Sequence, residues 1–309
     1  MALGDFVLRL DLSLPFMPRK LTLSAVAMFA ITTITPAALA QTFTVIHNFT
    51  GGADGAEPIA GLTADARGNL YGTANQGGYG TCVPENAGCG VAFKLTPVGS
   101  SCVFTPIYSF RGSPDGGGPY GRVIFGPNAS GNMYGASPAG GSNNFGALWE
   151  LSPSGGGWIE HSLYDFQGGS DGVAPAEGLL LNGGTLFGTT QLGPGNAGTA
   201  FEPTASGEGW SFSTMTSLPA GEGPFAKLAA DSAGNLYGVT QGGDGDYGAV
   251  FKLTRSGSGW TMAVLHSFSG ARDGNTPLGS LYVDAGGNVY GTTFQGGAYN
   301  EGVVFKITP

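Results

Sequence analysis

Gly68-Asn69-Leu70-Tyr71-Gly72, followed by Gly90-Val91-Ala92-Phe93-Lys94-Leu95, is the stretch on which the fold turns. The second run places Val91, Phe93 and Leu95 at alternate positions, the period of a β-strand with one face buried. Both runs recur. The first returns as Gly-Asn-Met-Tyr-Gly at 131–135, Gly-Thr-Leu-Phe-Gly at 184–188, Gly-Asn-Leu-Tyr-Gly at 234–238 and Gly-Asn-Val-Tyr-Gly at 287–291. The second returns at 146–151, 198–203, 248–253 and 302–307.

A third marker is an alternating strand ending in an apolar residue, at 103–110, 159–166, 211–218 and 261–268. Its fifth copy stands at the other end of the chain, where Phe43-Thr-Val-Ile-His47-Asn-Phe49 matches Met262-Ala-Val-Leu-His266-Ser-Phe268. Each of the five units therefore holds four short strands, here A to D in chain order. Asp65-Ala-Arg-Gly68 and its equivalents make the A to B turn, and Gly-rich turns before Trp158, Trp210 and Trp260 join C to D.

Four antiparallel strands per unit, five units and no helix-length amphipathic segment predict an all-β, five-bladed β-propeller. The permuted D strand is expected to close the ring, so that neither the first nor the last blade keeps an open edge. A β-solenoid is the rival. It would leave both ends needing caps and gives no reason for the missing strand to stand at the start.

Composition agrees with this reading. With 58 Gly, 19 Pro and 11% charged residues in 309, the chain would read as low complexity if it had no period. Its 41% hydrophobic content, with 19 Phe and 11 Tyr, supplies a packed core, so the glycines belong in turns.

The units at 287–297 and 302–309 resemble the GloVer (Gloeo-Verruco) tandem repeat of exported bacterial proteins. The resemblance implies export, in many members an anchor at the C-terminus, and no established activity. Here the sequence reaches Pro309 without a hydrophobic tail, from which free secretion or periplasmic residence is expected.

An export signal is legible at the start. Arg19 and Lys20 precede an apolar run from Leu21 to Ala37, and Ala38-Leu39-Ala40 forms a small-residue cleavage pattern before Gln41. Residues 1–40 read as a signal peptide, of which 1–16 is an upstream extension if Met17 is the start, and 41–309 as one propeller domain. The alternative is an uncleaved anchor. No later segment is long and apolar enough to span a membrane as a helix. Cleavage would leave 9 basic and 19 acidic side chains, a net charge of −10, which makes nucleic acid an improbable partner. A monomer is expected.

Of the three cysteines, Cys82 and Cys89 flank an insertion in the first B to C loop and are expected to pair in an exported protein. Cys102 takes the place of Trp158, Trp210 and Trp260 at the opposite end of strand C, so it is expected to stay out of that bond. His47 and His266 share a repeat position with Tyr108 and Tyr164 and read as packing residues; His161 stands alone. No HExxH, Gly-x-Ser-x-Gly or phosphate loop is present.

Every D to A connection carries an acid beside glycine: Asp54, Asp115, Asp171, Glu222 and Asp273. A recurring Asx-type turn explains them; the functional alternative is a ring of carboxylates holding calcium, the one cofactor considered. Departures from the repeat say more about function. Arg122 and Lys227 occupy a strand A position held elsewhere by Gly61, Gly178 and Ser280, and Glu177 stands where other units have Ala60, Gly121, Ala226 and Gly279. These three charges are candidate ligand-binding residues; an inter-blade salt bridge would explain them without a ligand.

The leading functional expectation is a non-enzymatic exported binding or scaffolding propeller, with a glycan or surface polymer as the preferred partner. The alternative is a glycan-active hydrolase or lyase with Glu177 and Asp171 as its carboxylates. A purely structural surface protein is the third possibility.

Overall fold

The computed structural model describes residues 43–82, 87–126, 131–175, 177–206, 209–219, 223–242 and 247–309. The signal peptide therefore lies outside the described residues, as does Glu222. By contacts the chain divides into Met1–Thr44 and Val45–Pro309, and the described fold belongs to the second unit.

The architecture is all-β. In the first sheet, β1 (Thr63–Ala64), β2 (Leu70–Ala74), β3 (Val91–Val98) and β4 (Ser101–Ser109) pair in chain order. After β5 (Gly116–Gly117), the second sheet takes β6 (Ile124–Phe125), β7 (Met133–Ser137), β9 (Ala147–Ser154) and β10 (Gly157–Asp165), while β8 (Ala139–Gly140) pairs back with β5. In the third, β11 (Val173–Pro175) and β12 (Leu180–Asn182) both pair with β13 (Thr185–Leu192), which continues through β14 (Thr199–Ser206) to β15 (Gly209–Ser217). The fourth holds β16 (Ala229–Ala230), β17 (Leu236–Thr240), β18 (Ala249–Ser256) and β19 (Gly259–Ser267). The fifth has three strands, β20 (Tyr282–Val283), β21 (Val289–Thr292) and β22 (Val304–Ile307). Among the described residues the one helical turn is a 3₁₀ turn at Pro194–Asn196.

The repeated residues have physical jobs. In the A to B hairpin, Asp65 accepts from the backbone N–H groups of Arg67 and Asn69, each at 2.9 Å, and from Asn69 Nδ2 at 2.7 Å and the Tyr71 hydroxyl at 3.3 Å. Asp231 and Asp284 repeat the arrangement with Asn235 and Tyr237, and with Asn288 and Tyr290. The marker's Asn and Tyr are thus the donors that fix the turn. Its second glycine is a close approach: Gly72, Gly135, Gly188, Gly238 and Gly291 lie opposite Phe93, Trp149, Phe201, Phe251 and Phe305. A Cβ on any of them would collide with that ring, so the glycine lets the aromatic lie across the neighbouring strand.

Four apolar cores lie between successive sheets. Tyr71 and Phe110 meet Met133 and Trp149; Phe166 meets Leu179 and Phe201; Phe187 and Leu218 meet Phe251; Phe268 meets Leu281 and Val289. At three of the seams a C to D tryptophan packs on the strand B aromatic of the preceding sheet, Trp158 on Tyr71, Trp210 on Tyr134 and Trp260 on Phe187, with centroids 6.3, 5.5 and 5.6 Å apart.

The expected closing strand is placed but not paired. Residues 43–49 form no ladder, yet Phe49 packs edge-on against Phe93 and Phe104 of the first sheet. Among the described residues β22 pairs with β21 alone, and Val304 is 82% exposed where its equivalents Ala92, Leu148, Ala200 and Val250 are wholly buried. Among the described residues the fifth sheet lacks the outer strand that β4, β10, β15 and β19 supply to the other four.

Candidate functional site

In four units the connection entering strand A and the loop leaving strand B meet at the same end of the sheet. Ala56 bridges Gln76, β5 pairs with β8, Val173 and Pro175 pair with Leu192 and Thr190, and Asn275 bridges Gln295. In these four units the D to A connection therefore lies against the B to C loop of the unit it enters. A cleft of ≈ 390 Å³ opens among these loops, lined by Asn75, Gln76, Cys82, Gly117, Gly118 and Asn144. Cys82 and Cys89 are bonded, with Cα atoms 5.1 Å apart, and Cys102 is free.

The three charges that break the repeat stand where the strand A segments adjoin. Thr73 Oγ1 donates to the Gly121 carbonyl at 3.3 Å, and a Cβ on Gly121 would collide with the Glu177 backbone, which is why this position tolerates only small residues in most units. Arg122 follows at once; its Nε donates to Thr63 Oγ1 at 3.0 Å, and its side chain is exposed. Lys227 is half-buried, and burial, reinforced by the positive charge of Arg122, lowers its pKa. Glu177 is half-buried as well, and burial raises its carboxyl pKa.

No salt bridge joins them. Among the described residues Arg255 and Glu202 form an ion pair, and His47–Asp54 and His266–Asp273 are histidine–carboxylate contacts. The inter-blade salt bridge that would have explained Arg122, Glu177 and Lys227 without a ligand is not formed.

The acids of the D to A connections are committed to their own loops. Asp115 accepts from the Tyr108 hydroxyl at 2.6 Å and the Arg111 N–H at 3.2 Å; Asp171 accepts from Tyr164 at 2.9 Å and from the N–H groups of Gln167 and Gly169 at 2.7 and 3.1 Å. Asp54 and Asp273 bind His47 and His266 the same way, each at 3.1 Å. The side-chain hydrogen bond from Thr50 holds the Asp54 pKa down, and that from Ser269 does so for Asp273. Among the described residues no three His, Cys, Asp or Glu side chains come together as metal ligands. Asp171, nominated as partner to Glu177, has its oxygens occupied by this turn, and His161 is exposed.

Sequence reasoning missed Glu160. It holds the strand D position of Phe104, Phe212 and Met262, where a ring or thioether meets the preceding unit. Burial, with the negative charges of Asp115 and Asp165 adding and Arg111 opposing, pushes its carboxyl up to about 7, and its Oε1 is buried without a partner among the described residues. The signal was present in the repeat as one acid among apolar residues.

A model of the Gloeobacter/Verrucomicrobia repeat matches the chain twice, over residues 29–201 and 191–309. No curated protein matches in sequence. Among solved structures, similarity extends to a candidate 6-phosphogluconolactonase of Bacteroides uniformis, at 13% identity over 82% of this chain and 68% of that one with a TM-score of 0.50. A protein from Lactobacillus plantarum gives 13%, 81%, 71% and 0.50 for the same quantities, and an α-L-arabinofuranosidase of Fusarium graminearum 16%, 74%, 72% and 0.44. The likeness is one of fold, all-β and propeller-like.

Proposed function

For a chain that belongs to the Gloeobacter/Verrucomicrobia repeat family, we propose an exported, non-enzymatic binding propeller of five blades that takes a glycan on the face built by its D to A and B to C loops. The observation that carries this reading is the set Arg122, Glu177 and Lys227, charged side chains just ahead of β6, β12 and β16 at positions where most units hold small residues, and joined by no salt bridge to one another. Retaining two half-buried charges without partners lowers stability, and such positions commonly serve a ligand. Separately, the cleft among the D to A and B to C loops offers Asn75, Gln76 and Asn144, amide side chains suited to sugar hydroxyls.

Ring closure belongs to the same proposal. Residues 43–49 supply strand D of the fifth blade, pair with β22 and cover Val304. In support, His47 and Phe49 already meet Phe104 and Phe93 as Tyr164 and Phe166 of the second sheet meet Phe212 and Phe201 of the third. Signal cleavage before Gln41 and secretion or periplasmic residence complete the reading.

Calcium is no part of it, because the Asp54, Asp115, Asp171 and Asp273 carboxylates serve their turns. A hydrolase would need two free carboxylates across a cleft, and the hydrogen bonds of Asp171 weigh against the Glu177–Asp171 pair. The deciding experiment is a glycan array of neutral and acidic members, followed by incubation of any retained glycan with the protein. Retention without cleavage is expected; an empty array would overturn the binding reading, and cleavage would replace it by the hydrolase.

A further inference from the structure

We propose a second saccharide site, at the seam between the first and second sheets, that takes a uronate unit with its pyranose ring against Trp158 and its carboxylate on Lys94. It is independent of the loop-face site and lies at the opposite end of the sheets, where the A to B and C to D turns stand. A groove of ≈ 550 Å³ opens there, lined by the rings of Tyr71, Phe125 and Trp158 together with Lys94, Arg67 and Pro153. Tyr71 gathers the rings: Phe125 meets it edge-on with centroids 5.1 Å apart, and Trp158 at 6.3 Å.

At the seam between the third and fourth sheets the protein fills this position itself. Glu202 stands there in place of Lys94, and Arg255 in place of Pro153. Trp260 Nε1 donates to Glu202 Oε2 at 2.9 Å, Arg255 pairs with Glu202, and the guanidinium lies over the indole at 4.6 Å from its centroid. At the first seam Pro153 stands opposite Trp158 across the C to D hairpin, as Arg255 stands opposite Trp260. Trp158 consequently has neither a guanidinium over its ring nor an acceptor at Nε1 among the described residues. The same lysine and proline leave space a second time: Lys252 and Pro309 line a cavity of ≈ 320 Å³ between the fourth and fifth sheets, with Tyr237 at the position of Tyr71.

The groups that the groove leaves free are donors. Asp65, the one carboxylate lining it, already accepts from two backbone N–H groups, the Asn69 amide and the Tyr71 hydroxyl. Lys94 is held with Nζ 5.8 Å from the Tyr71 centroid and, like Arg67, forms no ion pair among the described residues. A ligand must therefore bring acceptors and negative charge, together with an apolar face for the rings. A uronate has both: the C–H face of its pyranose buries against an aromatic ring, and its carboxylate takes a charge-assisted hydrogen bond from the ammonium.

The test is calorimetric titration of the full mature protein with a galacturonate trimer and with its methyl ester, at low and high salt. Wild type is expected to bind the acid at least about tenfold more tightly than the ester, and the preference is expected to weaken as salt rises. Lys94→Glu/Pro153→Arg, which installs the residues of the third seam, is expected to weaken binding of the acid at least about tenfold while retaining its unfolding temperature. If that variant does not fold, Lys94→Gln carries the comparison and is expected to lose the preference for acid over ester. Arg272→Gln, with the same change in net charge at an exposed position elsewhere, is expected to keep it. Unchanged binding in the Lys94 variants, the same loss in Arg272→Gln, or equal binding of acid and ester by wild type would overturn the seam site and leave the loop-face reading standing. Failure of wild type to bind the galacturonate trimer would overturn the seam site whatever the glycan array retains. Retention of array glycans by Lys94→Glu/Pro153→Arg, alongside its loss of the trimer, would support both sites; an empty array for that variant alone would overturn the loop-face reading and leave the seam as the binding site.

Discussion

The His47 imidazole lies flat on the Phe104 ring, with centroids 3.8 Å apart and planes 9° apart, and Tyr164 lies on Phe212 in the same way, at 3.7 Å and 7°. A residue from the first described segment thus meets the first sheet as strand D of one unit meets the next. Sheet-to-sheet stacking of this kind buries apolar area on both sides and gives the N-terminal segment a place before any ladder forms.

Closure can be tested at two seams. A chain that begins at Thr50 is expected to lose about 2–4 kcal/mol of stability, the scale of removing the packing of Phe49 and His47 from the first sheet. Cys102 takes the tryptophan position, and in a closed ring it would face Tyr290 as Trp158 faces Tyr71. Cys102→Trp is therefore expected to stabilise by about 1 kcal/mol in denaturant unfolding. An unchanged midpoint for Cys102→Trp would argue for an open stack, and one for the truncated chain would argue against the packing of His47 and Phe49 on the first sheet. Intact mass of the exported protein is expected to place its first residue at Gln41.

Glu160 should make stability depend on pH. Its carboxyl is raised to about 7 in the folded protein by burial and by Asp115 and Asp165, against an ordinary value of 4.5. The folded state thus holds the proton more tightly than the unfolded state does. Its contribution is fully present below about pH 4.5 and is lost as pH rises through about 7. Relative to Glu160→Gln, the unfolding temperature of wild type is expected to fall between pH 4 and pH 8, with roughly pH 7 as the end of the change. Glu160→Met, the residue type of the fourth unit, is expected to stabilise at pH 8; a pH-independent difference between the variants would refute the assignment.

Asp171 tests turn against metal. Its buried carboxylate takes three donors, so Asp171→Ala is expected to cost about 2–3 kcal/mol by stranding the Tyr164 hydroxyl and two backbone N–H groups. The loss should be the same with calcium or with a chelator present. A calcium-dependent rise in the wild-type unfolding temperature, absent in the variant, would restore the carboxylate ring.

The disulfide predicts a peptide map. Non-reducing digestion is expected to yield Cys82 linked to Cys89, with Cys102 modified by a thiol reagent. Replacing Cys82 and Cys89 by Ser is expected to cost about 2 kcal/mol, because the closed loop is short. A peptide linking Cys102 to either partner would contradict the placement.

Much of this protein was legible in its sequence because the determining interactions are local. Asp65, Gly68, Asn69 and Tyr71 lie within one hairpin and carry its hydrogen bonds between them, so the motif predicts the turn wherever it recurs. Gly72 and Phe93 are neighbours across one strand pair, and the Cys82–Cys89 bond spans a single loop. Which unit packs on which was another matter, since it depends on residues far apart in the chain. Only the tertiary structure set Glu160 near Asp115, left the three charges of Arg122, Glu177 and Lys227 unjoined by any salt bridge, and placed His47 and Phe49 against the first sheet with β22 uncovered. Those outcomes follow from inter-sheet distances and burial, which strand periodicity does not encode; a repeat specifies the sheet, and the contacts between sheets decide which charges find partners.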